Sequence, residues 1–203
     1  MGRYIGPKSK IARKFGEAIY GADRVLEKRN YPPGQHGLAR KRKKISEYGT
    51  QLSEKQKAKF IYGVLEKQFL GYFKRAKAMP GITGDNLMRI LESRLDNVVF
   101  RLGFAKTRKE ARQIVTHGHI QVNGRRVDIP SFRVRPGDLV AVTPKAKELL
   151  VIKSALVSNE GVQVPAWLEV DIEKLQGSVL ALPEREQIDL DINEQLIVEL
   201  YSK

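Results

Sequence analysis

The sequence predicts an α+β protein. It should have a helical N-terminal part behind a basic arm, then a small α/β module of two helices, a hairpin and a short sheet, and an irregular C-terminal tail. Three observations carry this. Apolar residues recur every three or four positions from Ile61 to Ala76 and again from Leu87 to Leu102, a helical period. Thr107 followed by Glu110 is a capping box, which marks a helix start. After Gly118 the period falls to two, in Ile120 and Val122 and again in Val127 and Ile129, on either side of Asn123-Gly124.

The first 44 residues hold 13 Lys and Arg against 3 acidic residues, with few apolar side chains. Such an arm is expected to be poorly ordered alone and ordered on a polyanion. Tyr31-Pro-Pro-Gly-Gln-His-Gly37 predicts an extended path and a turn, presenting an aromatic ring and polar groups. Arg40, Lys41, Arg42, Lys43 and Lys44 are five consecutive cations, read as phosphate neutralisers rather than a localisation signal or a solvated tail. Ser53 with Gln56 predicts a second capping box, opening one helix that runs to Met79-Pro80-Gly81. Ile61, Leu65, Phe69, Tyr72 and Ala76 share its core face, so its aromatics are read as packing rather than base-stacking groups.

In the module, Leu87, Leu91, Leu95, Val98 and Leu102 predict one continuous helix, stopped at Gly103. A second runs from Thr107 to Gly118 with Ala111, Ile114 and Val115 buried. At about 100° per residue, Arg108, Lys109 and Arg112 fall on one flank of that stripe, and no acidic partners are evident for them. Asn123-Gly124 predicts a tight hairpin, because both positions need positive φ. Arg125 and Arg126 are expected to leave it beside the second helix's N-terminus. Phe132–Arg135 and Leu139–Val142 read as strands around Pro136-Gly137-Asp138, followed by a short basic helix at Lys145–Leu150. Trp167 is a buried anchor, and the end, including Leu196–Tyr201, reads as β-like or irregular.

Net charge is +14, unevenly spread: +20 over residues 1–163 and −6 over 164–203. Such an excess implies a polyanion partner, since each neutralised phosphate releases counterions. A membrane surface is the weaker option, because no amphipathic helix sets bulky apolar anchors opposite its lysines. Met1–Lys8 lacks the apolar core of a signal peptide, and no apolar run reaches about 18 residues, so no transmembrane helix is expected.

The chain has no Cys, which removes disulfides, thiolate metal sites and cysteine nucleophiles. Its three His are scattered, and His117-Gly118-His119 without Cys or an acidic cluster is read as a turn touching phosphate or its neighbour's backbone rather than a metal pair. There is no phosphate-binding GxxxxGK[ST] loop and no HExxH. Ser154 and Ser158 lack elbow glycines, and Asp189 and Asp191 look like solvated surface. No catalytic constellation, cofactor site or metal site is expected.

The stretch Arg94-Leu-Asp-Asn-Val-Val, Arg108-Lys-Glu-Ala-Arg-Gln, His117-Gly-His-Ile and Val122-Asn-Gly-Arg-Arg-Val closely resembles the RNA-binding module named after the fourth protein of the small ribosomal subunit. The resemblance extends outside the module to Met1–Lys8, Tyr31–Gly37, Ser46–Gly49, Glu54–Lys57, Ile61–Phe69, Leu182–Glu186 and Asn193–Tyr201. It implies that the module is inserted in a helical domain. The divisions expected are an arm at 1–44, a helical domain at 45–91 completed by 165–203, the module at 92–155, and a return segment at 156–203. Many members of that family bind zinc through four cysteines near the N-terminus. Here Ser9 and Ala12 stand where the first pair would be and the second pair is missing, so the chain resembles the zinc-free version.

The resemblance implies a structural, non-enzymatic protein that binds small-subunit ribosomal RNA early, at a helical junction in the 5′ domain. It implies a place beside ribosomal protein number five near mRNA entry, where the interface affects decoding accuracy. No membrane and no homo-oligomer are expected, and the compartment would be the cytoplasm or an organelle. The candidate RNA contacts of the N-terminal part are Arg3, Tyr31, Gln35, His36 and Arg40–Lys44. Those of the module are Lys106, Thr107, Arg108, Lys109, Arg112, His117, His119, Arg125 and Arg126, with Gln113 and Asn123 as 2′-hydroxyl partners. Arg108 and Arg112 should be replaceable together without loss of the fold, at a cost in phosphate contacts. The alternatives are an RNA-modifying or aminoacylating enzyme, or a stress-related ribosome binder, carrying the same module. Outside the module no nucleotide-binding fold fits in the chain.

Overall fold

The computed structural model describes residues 4–38, 45–159, 161 and 163–202. Arg3 and Arg40–Lys44 lie outside them. The chain divides into two compact units, Met1–Lys74 with Asp191–Lys203, and Arg75–Leu190.

The first unit begins with α1 (Lys8–Phe15) and α2 (Arg24–Lys28), so the arm expected to be poorly ordered holds two short helices. Ile11 and Ala12 of α1 are buried, and Phe15 and Tyr4 pack on Phe60. Lys57 Nζ meets Glu17 Oε1 at 2.8 Å.

The long helix expected from Ser53 is two helices. α3 (Glu47–Ile61) starts earlier, with Ser46 Oγ accepting from Gly49 N at 3.2 Å, and leaves Ser53 inside it. The break follows at Gly63, whose φ of 61° is left-handed and open to glycine at little strain. α4 (Glu66–Ala78) then carries Phe69, Tyr72 and Phe73 inward, as the core reading of these aromatics required.

The end of the chain is α9 (Glu194–Ser202), which packs along α3, and this corrects the irregular or β-like reading. The run Leu196-Ile197-Val198 favours a strand by local preference, but packing decides. Ile197 is fully buried, Tyr201 lies 4.7 Å from the Phe73 ring, and its hydroxyl donates to Glu66 Oε1 at 2.9 Å. Gln51 Nε2 donates to both Glu47 and Glu199 at 3.0 Å, tying α3 to α9.

In the second unit the single helix expected from Leu87 to Leu102 is also broken, into α5 (Thr83–Glu92) and α6 (Leu95–Arg101). Arg94 is extended at the break, bridging antiparallel to Arg133. Leu95 N donates to Phe132 O at 2.8 Å and Asp96 N to Pro130 O at 3.2 Å. The segment 130–134 thus takes the amides at the start of α6, which have no partner inside the helix. It forms no strand of its own beyond that bridge, contrary to the reading of Phe132–Arg135.

α7 (Arg108–Thr116) leads into β1 (Ile120–Val122) and β2 (Arg125–Arg126). The turn between them has Asn123 at φ 50° and Gly124 at φ 76°, as expected of Asn-Gly. β3 (Leu139–Val142) follows. The short basic helix expected next is a 3-10 turn at Pro144–Ala146, and α8 (Leu150–Ser158) comes after it.

β4 (Leu168–Asp171) and β5 (Gln176–Val179) complete an antiparallel sheet in the order β2-β1-β3-β5-β4. The tail is therefore regular here too. Trp167, 1 % exposed, anchors the approach to β4 in the core with Leu168 and Val179. That core fills the space between the sheet and α6 and α7, through Val98, Val99, Leu102, Ala111, Ile114 and Val115.

A candidate RNA interface around two helices and a hairpin

The site grows from the start of α7. Thr107 Oγ1 accepts from Glu110 N at 3.2 Å, and Glu110 Oε2 accepts from Lys106 N at 2.6 Å. The box thus closes one residue further out than expected, on Lys106 rather than Thr107. It fixes the loop that lifts the exposed Lys106 beside the helix's positive end.

Arg108 and Arg112 do have acidic partners, which corrects the sequence reading. Arg112 is 9 % exposed, and its Nη1 sits 3.2 Å from Asp96 Oδ2. Asp96 is also gripped in bidentate fashion by Arg94, at 3.0 and 2.6 Å. Arg108 Nε donates to Asn97 Oδ1 at 2.8 Å, its Nη2 lies 3.9 Å from Glu92 Oε1, and its guanidinium stacks 4.6 Å over Phe100. The fully buried Glu92 takes Arg101 as well, at 3.0 and 3.1 Å, and accepts from Asn97 Nδ2 at 2.6 Å.

Two buried carboxylates thus hold four arginines, an excess of positive charge that an anion would complement. Sequence reading missed Glu92, Asp96, Asn97 and Arg101. The available signal was Glu92 and Asp96 four positions apart in one predicted helix, a spacing at which like charges repel unless each has a partner.

The hairpin contributes the second group. Arg125 and Arg126 are both exposed. They do not stand beside the α7 N-terminus as expected: Arg126 Nη2 reaches His117 O, 3.5 Å away at the opposite end of α7. A cation is favourable there, where helix carbonyls are open. A Cβ on Gly118 would overlap the Arg126 guanidinium, so only glycine lets that arginine lie across the helix stop. His117 and His119 stand edge to face at 5.9 Å. Burial, followed by the charges of His117 and Arg126, holds His119 below the usual histidine range.

Among the other candidates, Gln113 is exposed and Lys109 half-buried. Asn123 is committed to the hairpin: its Nδ2 donates to Asp138 Oδ1 and its Oδ1 accepts from Leu139 N, both at 2.8 Å. In the first unit, Gln35 and His36 are exposed, and Tyr31 is half-buried beneath the Arg13 guanidinium. Among the described residues no group of three or more His, Asp or Glu could hold a metal ion. No helix among them is long and apolar enough to cross a membrane.

Comparison with known proteins gives a consistent picture. A family model described as "Ribosomal protein S4/S9 N-terminal domain" matches residues 3–92, and one described as "S4 domain" matches residues 93–140. The chain is 59% identical over 203 residues to the small ribosomal subunit protein uS4 of Parabacteroides distasonis, and equally to that of Bacteroides thetaiotaomicron. It is 54% identical to that of Flavobacterium psychrophilum. In all three cases the match covers 100% of this chain and 100% of the relative.

Proposed function

The chain belongs to the uS4 family of small ribosomal subunit proteins, and from that premise we propose that the α6–α7–hairpin region is its principal grip on small-subunit ribosomal RNA. The protein is a structural constituent of the subunit with an S4-type RNA-binding domain, not an enzyme. An RNA-modifying or stress-related protein carrying the same module is not favoured, because full-length relatives match outside the module as well as within it.

The observation that carries the proposal is the arrangement of charge. Lys106, Arg125 and Arg126 are exposed around α7, while Arg108 and Arg112 are fixed in place by buried Glu92 and Asp96. Exposed cations neutralise phosphates, and the fixed guanidinium groups set the shape against which a folded backbone fits. Folded RNA is read mainly through phosphates, 2′-hydroxyls and shape. Gln113 is the side chain best suited to a 2′-hydroxyl.

Under this reading the N-terminal arm supplies further backbone contacts, from Tyr31, Gln35 and His36 and the run Arg40–Lys44. The module is an insertion in a helical domain that the chain completes on its return at Asp191. The protein would bind the 5′ domain of the RNA early and nucleate its assembly. It would lie beside ribosomal protein number five near mRNA entry, influence decoding accuracy, and work in the cytoplasm. Family membership supports each of these.

The test is a binding titration with a 5′-domain RNA fragment across a salt series. Replacing Arg125 and Arg126 by Ala should weaken binding and shallow the slope of log K against log salt by about 0.7–0.9 per lost contact. Replacing Lys145 and Lys147 should change the slope little. An unchanged slope for the Arg125/Arg126 variant would move the binding face to another part of the chain.

A further inference from the structure

We propose that Arg13 is a positioning residue for RNA binding: its guanidinium clasps the backbone of residues 29–32 and so holds the Tyr31–Gly37 turn in the shape that meets the RNA. The proposal rests on the RNA-binding reading above.

Three backbone oxygens converge on this one side chain. Arg13 Nε lies 3.2 Å from Arg29 O and 3.1 Å from Tyr31 O, and Nη2 lies 3.4 Å from Pro32 O. The face of the same guanidinium covers the Tyr31 ring, 4.6 Å from its centroid. Convergent carbonyl oxygens repel one another and need a cation or several donors between them. A guanidinium supplies both, in a rigid plane that also stacks on an aromatic face.

α2, which leads into this segment, has no buried residue to anchor it. α1, by contrast, is anchored: Ile11 and Ala12 are buried, and Phe15 packs on Phe60. Asp23 caps α2 by accepting from Val25 N at 2.9 Å and Leu26 N at 3.2 Å, and Ser9, one helical turn before Arg13, is the chief influence holding the Asp23 carboxyl below the usual range. Ser9 and Arg13 share a face of α1 and grip the start of α2 and the chain beyond its end.

The turn downstream is close-packed. Gly37 N donates to Gly34 O at 3.1 Å, and a Cβ on Gly37 would overlap Pro32 O. Arg13 thus fixes the oxygen-bearing strand against which the turn closes, and its charge is spent on carbonyls rather than offered to phosphate.

The experiment compares the full chain with Arg13→Lys and Arg13→Ala. Hydrogen exchange of residues 29–37 is read in the free protein, and affinity for a 5′-domain RNA fragment is read across a salt series. Lys keeps the charge but has neither the planar fork nor the stacking face. Both variants should therefore lose protection at 29–37 and bind RNA about tenfold more weakly, an ordering cost paid on binding, with the salt slope unchanged. Wild-type affinity for Arg13→Lys, with a slope shallower by about 0.7–0.9 for Arg13→Ala, would make Arg13 a phosphate contact and overturn the proposal. Unchanged protection at 29–37 in both variants would overturn it as well. Should the unsubstituted chain fail to bind the fragment, the RNA reading falls and the positioning role with it, while the exchange data still judge the clasp itself.

Discussion

The N-terminal arm and the S4-type module both fix arginines, by opposite means. In the module, Arg94 and Arg112 end on Asp96, and Arg101 and Arg108 on or near Glu92, with both carboxylates buried beside an apolar core. In the arm, Arg13 ends on backbone carbonyls, around a helix with no buried residue. Where a core exists, a charged network can be withdrawn from water, and breaking it endangers the fold. Around α2, where no residue is buried, the same side chain can only order a short stretch, and losing it loosens that stretch alone.

The largest effect should come from Asp96→Ala. It strips the carboxylate from Arg94 and Arg112 in a buried setting, and removing one partner of such a pair costs about 3–5 kcal/mol. Denaturant unfolding of the full chain would measure it, and a loss below about 1 kcal/mol would erase the contrast drawn here. For the same reason Arg112→Ala should lower stability, where the sequence had suggested a change in phosphate contacts alone.

Next comes Ser46→Ala, which removes the cap of α3 and should cost about 1 kcal/mol by the same measurement. Ser9→Ala in the arm should leave global unfolding unchanged within about 0.5 kcal/mol. Its effect should appear instead as faster exchange around Val25 and Leu26. A loss matching that of Asp96→Ala would mean that the arm and the module are not built on different principles.

The smallest effect concerns His119. Its folded pKa lies below the reference value of 6.5, so below about that pH the unfolded chain binds more protons. This contribution to stability is intact above pH 6.5 and is lost as pH falls through the lower folded value. Thermal unfolding from about pH 8 to about pH 5 should show a steeper decline for the wild type than for His119→Gln. RNA should act in the opposite sense, because phosphate favours the protonated ring, so affinity should rise over the same fall in pH.

Most local signals in the sequence translated faithfully, the exception being the Ser53–Gln56 box, which lies inside α3 because Ser46 caps that helix instead. The Thr107 cap, the Asn123-Gly124 turn, the β3 run and the buried stripe of α7 are all present as read. The other failures depended on distant partners. The breaks at Gly63 and Ser93-Arg94 interrupt periodic patterns that continue across them, and the second exists because residues 130–134 claim amides at the start of α6. α9 looked like a strand because its β-branched residues say so locally, while α3 decides otherwise. Arg112 looked like a free cation because Asp96 is 16 positions away, and Arg126 is drawn to His117 by a hairpin path that spacing alone does not resolve.

The order of strands in the sheet has a bearing on how the protein is made. β5, from residues 176–179, lies between β3 and β4, so the sheet lacks an interior member until late in synthesis. α3 likewise waits for α9, which begins at Glu194. At about 5–20 residues per second, a chain of 203 residues takes roughly 10–40 s to translate. For most of that time neither unit can close. A nascent chain carrying +20 over its first 163 residues is then an incomplete, adhesive polycation among nucleic acids. Early capture by a chaperone or by its own RNA would shield it through that interval.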